Sequence, residues 1–142
     1  MAKKFFIFSI LTVFCMLFIT SCGKDKSRGL LDFDKYKDVN VNSIEKIKVE
    51  WDVNDSSPIE FVISEGEKID VIIDRLCDNA AFVLKDGKND SGHSRITLID
   101  TNNNQTAISL AYITDGDDVY YYSDTSIYDL VYNEGKTQGV LS

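Results

Sequence analysis

From Ser43 onward, apolar and polar side chains fall into short periodic runs. Ile47, Val49, Trp51 and Val53 alternate with Lys46, Lys48, Glu50 and Asp52, a period of two that predicts a half-buried strand. Asn54-Asp55-Ser56-Ser57-Pro58 is turn chemistry, and Ile59–Ile63 reads as a second strand, so the pair predicts a hairpin. Ser64-Glu65-Gly66-Glu67 fits a capping box, with the Ser64 hydroxyl accepting from the Glu67 amide and the Glu67 carboxylate reaching back to the Ser64 amide. Behind it Ile69, Ile72, Ile73, Leu76, Cys77 and Ala80 share one helical face, while Lys68, Asp70, Asp74, Arg75 and Asp78 take the other. The spacing predicts a helix over about Glu65 to Asn79.

Ala81–Lys85 reads as a short strand and 86–93 as a polar loop. Arg95–Asp100 and Thr106–Thr114 are expected strands around the polar connection 101–105. Asp115-Gly116 signals a tight turn into a further strand, Val119–Ser123. Ile127, Leu130 and Val131 then return to helical spacing, with Ser126 as cap and Gly135 as stop, and 139–142 should fray. Strands and helices do not alternate regularly. The expected fold is therefore α+β: an antiparallel sheet of five to six strands, one amphipathic helix packed on a face, and a short C-terminal helix.

The chain before Ser43 follows another pattern. Lys3 and Lys4 precede Phe5–Ile19, an almost unbroken apolar run of 15 residues. As a helix it would be ~22 Å long, short for a permanent span and suited to the apolar region of an export signal. Ile19-Thr20-Ser21-Cys22 follows. This segment resembles the lipobox signal of bacterial lipoproteins, in which an aliphatic residue, a short residue and a small residue precede a cysteine. The resemblance covers residues 1–22. It implies cleavage before Cys22, a diacylglyceryl group on the Cys22 thiol, and Ile19, Thr20 and Ser21 in the recognition positions. The implied organisation is a cleaved signal peptide at 1–21, a lipidated N-terminus and flexible stalk at 22–42, and a small α+β domain at 43–142. Within the stalk, residues 23–29 are Gly, Ser and charges, whereas Leu30, Leu31, Phe33 and Tyr36 could dock on the domain.

Charge agrees with that reading. The chain carries 15 Lys and Arg against 23 Asp and Glu, a net of −8. Loss of Lys3 and Lys4 with the signal leaves 13 against 23, a net of −10. Such a surface excludes the nucleic-acid-binding class, which needs a basic face. Membrane attachment would rest on the acyl chains, each buried methylene contributing ~0.8 kcal/mol. Cys15 leaves with the signal and Cys22 takes the lipid, so only Cys77 remains, without a partner for an intramolecular disulfide. On an apolar helical face it reads as a small buried hydrophobe.

The chemistry-bearing residues are sparse. The single histidine, His93, lies in a polar loop with no Gly-x-Ser-x-Gly elbow nearby. One His and one apolar-face Cys do not make a zinc set. Asp100-Thr101-Asn102-Asn103-Asn104 starts like an EF-hand loop but has Gln105 at its sixth position and Ala111 at its twelfth, so a hairpin turn is the better reading. No catalytic set, metal or cofactor is expected. The aromatic composition is the exception: Tyr120, Tyr121 and Tyr122 are consecutive, near Tyr112, Tyr128 and Tyr132. In a strand, Tyr120 and Tyr122 share a face. Tyr120, Tyr122 and Tyr112 are therefore the candidate binding surface for peptide or glycan, against the plainer account that tyrosine favours strands.

The sequence thus points to a lipid-anchored, extracytoplasmic envelope protein with a non-catalytic binding domain, attached to the membrane through Cys22 and meeting an envelope protein, peptide or glycan. An inhibitor or immunity-type lipoprotein that binds a basic protein is one alternative. A carboxylate-dependent envelope hydrolase is another.

Overall fold

The computed structural model describes residues 26–54, 56–86 and 93–142. The expected signal peptide, the lipobox and Cys22 lie outside the described residues, as does most of the 86–93 loop. Eight strands and two α-helices follow one another: β1 (Ser27–Arg28), β2 (Ile44–Trp51), β3 (Ile59–Ile63), α1 (Gly66–Cys77), β4 (Phe82–Leu84), β5 (Arg95–Asp100), β6 (Gln105–Ser109), β7 (Tyr112–Asp115), β8 (Asp118–Tyr122) and α2 (Ser126–Thr137). Short 3-10 turns occupy Leu30–Asp32 and Val41–Ser43. The class is α+β, as the pattern predicts, but the strands form two antiparallel sheets of four, ordered β3-β2-β5-β6 and β1-β4-β8-β7.

The strand count departs from the expected five to six for two reasons. Ser27–Arg28 pairs with β4, Ser27 opposite Val83. The expected strand 106–114 breaks at Leu110–Ala111, because the Ser109 hydroxyl accepts from the Ala111 and Tyr112 amides and turns the chain. β6 thus ends on one sheet and β7 begins on the other. No Gly or Pro marks the corner, which is why periodicity reads straight through it.

The β2–β3 hairpin forms as expected, with Ile47 opposite Ile63 and Trp51 opposite Ile59. Its inward residues Ile47, Val49 and Trp51 meet Ile96, Leu98 and Ile108 of β5 and β6. On the outer face, Lys48 pairs with Glu60 at 3.0 Å, and Arg95 binds Glu50. Helix α1 lies against β2 and beside α2, burying Ile69, Ile72, Ile73 and Leu76. One continuous apolar cluster joins both sheets, both helices and the N-terminal turn.

That N-terminal turn corrects the domain boundary. From residue 26 the expected flexible stalk is part of the fold. Leu30 is fully buried, Phe33 is 1% exposed and Tyr36 7%. Phe33 meets Phe82 and Tyr120 edge to face, at 5.6 and 5.1 Å between ring centres. Gly29 is required by close approach: a Cβ there would stand 2.5 Å from the Cys77 carbonyl oxygen.

Both helix ends differ from the expected chemistry. Helix α1 starts at Gly66 with Glu65 at the N-cap, so the Ser64–Glu67 box does not form. The Glu65 carboxylate instead accepts from Lys68 Nζ at 3.0 Å. Gly135 does not stop α2; it sits inside the helix, where a Cβ would meet Leu141 at 2.5 Å. The helix ends at Thr137 and is closed by Gly139, φ +71°, with Gly139 donating to Lys136 and Val140 to Gly135, a Schellman closure. The C-terminal residues then fold back, burying Leu141, and the Tyr132 hydroxyl donates to the Ser142 carbonyl at 2.7 Å.

Candidate functional site

The structure places the tyrosines chosen from sequence mostly inside. Tyr120 is fully buried against Phe33, with the Arg28 guanidinium 4.8 Å from its ring centre. Tyr122 packs on Phe82 at 4.7 Å and donates from its hydroxyl to the Ser109 carbonyl at 2.8 Å. Burial drives its phenol far above the usual range. Tyr120 and Tyr122 do share a face, as a strand requires, but that face is the core, so they are corrected from binding surface to packing. Tyr112 is half-buried on the opposite face, directly across from Tyr121, with ring centres 5.9 Å apart. It lines a polar groove of about 310 Å³ with Lys35, His93 and Arg95. The three residues therefore do not form one surface.

Among the described residues, the exposed aromatic is Tyr128, 45% accessible on α2. It leans on Trp51 at 4.5 Å and is stacked near Tyr132 at 6.5 Å. Tyr128 and Tyr132 are four residues apart on one flank of the helix. That i, i+4 relation is the sequence signal for this pair, whereas the consecutive Tyr120–Tyr122 belong to a strand.

A groove of about 360 Å³ runs between α1 and α2. Its apolar floor is Ile63, Ile72 and Leu130, and Val71, 44% exposed, stands on its rim. A polar clasp ties the helices here. Lys68 Nζ lies 2.6 Å from Glu134, a residue only 8% exposed, and 3.0 Å from Glu65. Gln138 Nε2 donates to the second Glu134 oxygen at 2.9 Å and also to the Val62 carbonyl. The Lys68 and Gln138 hydrogen bonds hold the Glu134 carboxyl below the ordinary carboxylate range.

The other carboxylates with lowered pKa have structural partners as well. Glu50 is held down chiefly by its bond from Arg95, Asp100 by Asn104 and Asp124 by Ser126. Asp100 closes the β5–β6 hairpin by accepting from the Asn102 and Asn104 amides, so the loop is a turn, as its spacing implied. Cys77 is half-buried at the end of α1, its thiol pushed up by burial and then by Asp74 and Asp32. His93 is exposed. Among the described residues, no three His, Cys, Asp or Glu side chains gather as metal ligands, and no helix is long and apolar enough to cross a membrane. No protein-family model, curated protein or solved structure matches the chain.

Proposed function

We propose that the protein is a lipid-anchored envelope lipoprotein whose α+β domain is a non-catalytic binding module held close to the membrane. The observation that carries the anchor is the Lys3-Lys4 start, the apolar run Phe5–Ile19 and the Ile19-Thr20-Ser21-Cys22 box in direct succession. The fold sharpens this reading. Lys26 is already tied to β4, its carbonyl accepting from the Leu84 amide at 2.8 Å. From Cys22 to Lys26 the chain reaches at most ~14 Å. On this reading three residues, 23–25, separate the lipidated cysteine from the described fold, in place of the expected stalk at 22–42. A lipid on Cys22 would, on the same reading, hold the domain beside the headgroups.

Two observations favour binding over hydrolysis. The carboxylates with shifted pKa are lowered and engaged by structural partners, whereas a general acid at neutral pH needs a raised one. The groove between the helices offers an apolar contact surface, and the acid and base that line it, Glu134 and Lys68, are tied to one another as a clasp between the helices.

Mass spectrometry of the membrane fraction tests the anchor. The expected N-terminus is Cys22 carrying acyl chains, and Cys22→Ser should leave the polypeptide unlabelled by palmitate. A retained Met1, or label that survives the substitution, would overturn the reading.

A further inference from the structure

The two helices that frame the groove combine two features that a solvated surface has no need to combine. The first is charge. Residues 65–78 and 124–137 hold eight carboxylates against three bases, a net of −5 in a chain whose whole balance is −8. One of those bases, Lys68, is bound by Glu65 and Glu134. The second is exposed apolar surface. Val71, Tyr128 and Val140, three of the five large apolar side chains left exposed among the described residues, lie on the helices or just after α2, and Val71 lines the groove itself, together with the carboxylate of Glu67 and the clasped Lys68–Glu134 pair.

Helical geometry puts the two features in one line. Glu67, Val71 and Asp74 are spaced i, i+4, i+7 and form a single stripe on α1. Val71 is therefore flanked one turn away on each side by a carboxylate. Across the groove, Leu130, Asn133 and Thr137 make the facing stripe on α2. An apolar side chain entering over Ile72 and Leu130 would bring its neighbours one turn away against Glu67 and Asp74.

We propose that this groove is the docking site for a basic amphipathic segment of a partner protein. The segment places apolar side chains between Val71 and Leu130 and Lys or Arg side chains on Glu67 and Asp74. Apolar burial supplies most of the affinity, and the acidic rim supplies on-rate and selects against acidic partners. The inference deepens the binding role proposed above and is independent of the lipid anchor.

The test uses the mature chain, residues 22–142, with Cys22→Ala; it contains the whole buried cluster, which begins at Leu30. The probes are three synthetic helical peptides: leucine on one face and lysine on the other, the same with glutamate for lysine, and the same with alanine for leucine. Binding is followed by methyl NMR and titration. The leucine–lysine peptide should bind tightest and shift the Val71, Ile72 and Leu130 methyls. Val71→Ser should weaken it roughly five- to tenfold. Glu67→Gln with Asp74→Asn should weaken it and flatten its salt dependence. Glu60→Gln, on the outer face of the hairpin, should leave it unchanged. Equal binding by the alanine–lysine peptide, indifference to Val71→Ser, or no binding by any peptide would overturn the groove. Shifts confined to another face would also overturn it, while leaving a binding module in place.

Discussion

The sheet β3-β2-β5-β6 and the sheet β1-β4-β8-β7 enclose the same core but are built differently. The first has strands of five to eight residues and consists of two hairpins laid side by side. β2, β3 and β5 each carry their own inward apolar residues, β6 adds Ile108, and the outer face is laced by Lys48–Glu60 and Arg95–Glu50. The second has strands of two to five residues, and Ser27 must find Val83 while Phe82 must find Tyr122. Its cohesion comes from the rings of Phe33, Phe82, Tyr120 and Tyr122 rather than from strand length. A two- or three-residue strand buries little surface alone, so this sheet exists only because distant aromatic residues pack behind it.

The sheets also serve one another. An exposed strand edge invites pairing with another chain. On edge strand β6, the Ala107 and Ser109 carbonyls accept from the Tyr36 and Tyr122 hydroxyls, which come from the N-terminal segment and the aromatic sheet. On edge strand β3, the Val62 carbonyl accepts from Gln138. Both edges of the long-stranded sheet therefore accept hydrogen bonds from side chains elsewhere in the fold.

The sharpest way to break the aromatic sheet is Phe33→Ala. It removes the ring that joins the N-terminal segment to Phe82 and Tyr120, and should cost about 3–5 kcal/mol in urea unfolding. A loss below 1 kcal/mol would mean that the segment is an accessory to the core. Gly29→Ala comes next, at about 1–3 kcal/mol, because its Cβ meets a backbone carbonyl that cannot rotate away. Gly66→Ala, with nothing within 4 Å, is its control and should not destabilise.

The two tyrosines of β8 separate hydrogen bonding from packing. Tyr122→Phe loses the bond to Ser109 and should cost about 1 kcal/mol. The Tyr120 hydroxyl is buried and makes no hydrogen bond among the described residues, so Tyr120→Phe should be neutral or stabilising. The reverse order would reassign which ring supports the edge.

The smallest expected effect concerns acid. The Glu134 carboxyl is held below its ordinary value near 4.5, first by the Lys68 bond and then by Gln138. As pH falls, the unfolded chain takes the proton before the folded chain does. The stabilisation is complete above the unfolded value and is lost as pH drops through the folded one. Urea midpoints between about pH 6 and pH 3 should therefore fall less steeply in Glu134→Gln than in the native chain.

Legibility followed locality. The β2–β3 hairpin, α1, the Asp115-Gly116 turn and α2 could be read from neighbouring residues, because a strand or helix needs only its own periodicity to declare itself. The break at Leu110–Ala111 could not, because a serine hydroxyl makes it and no turn residue marks it. Gly135 looks like a stop from its neighbours in sequence, but its reason is Leu141, a steric neighbour beyond the end of the helix. The candidate site divides in the same way. The apolar stripe of α1 was plain, and so were the acids beside it. That Val71 faces a second helix across a groove depends on how α1 and α2 pack.

The order of apolar and polar residues by itself determined the α+β class, the hairpins and both helices, since each depends on side chains a few positions apart, and composition alone set the acidic balance. Only the tertiary structure decided that Tyr120 and Tyr122 face inward, that the segment from Lys26 belongs to the core, and that two helices frame an acid-rimmed apolar groove. The physical reason is that periodicity tells which residues share a face, whereas burial of that face depends on what distant chain is laid against it.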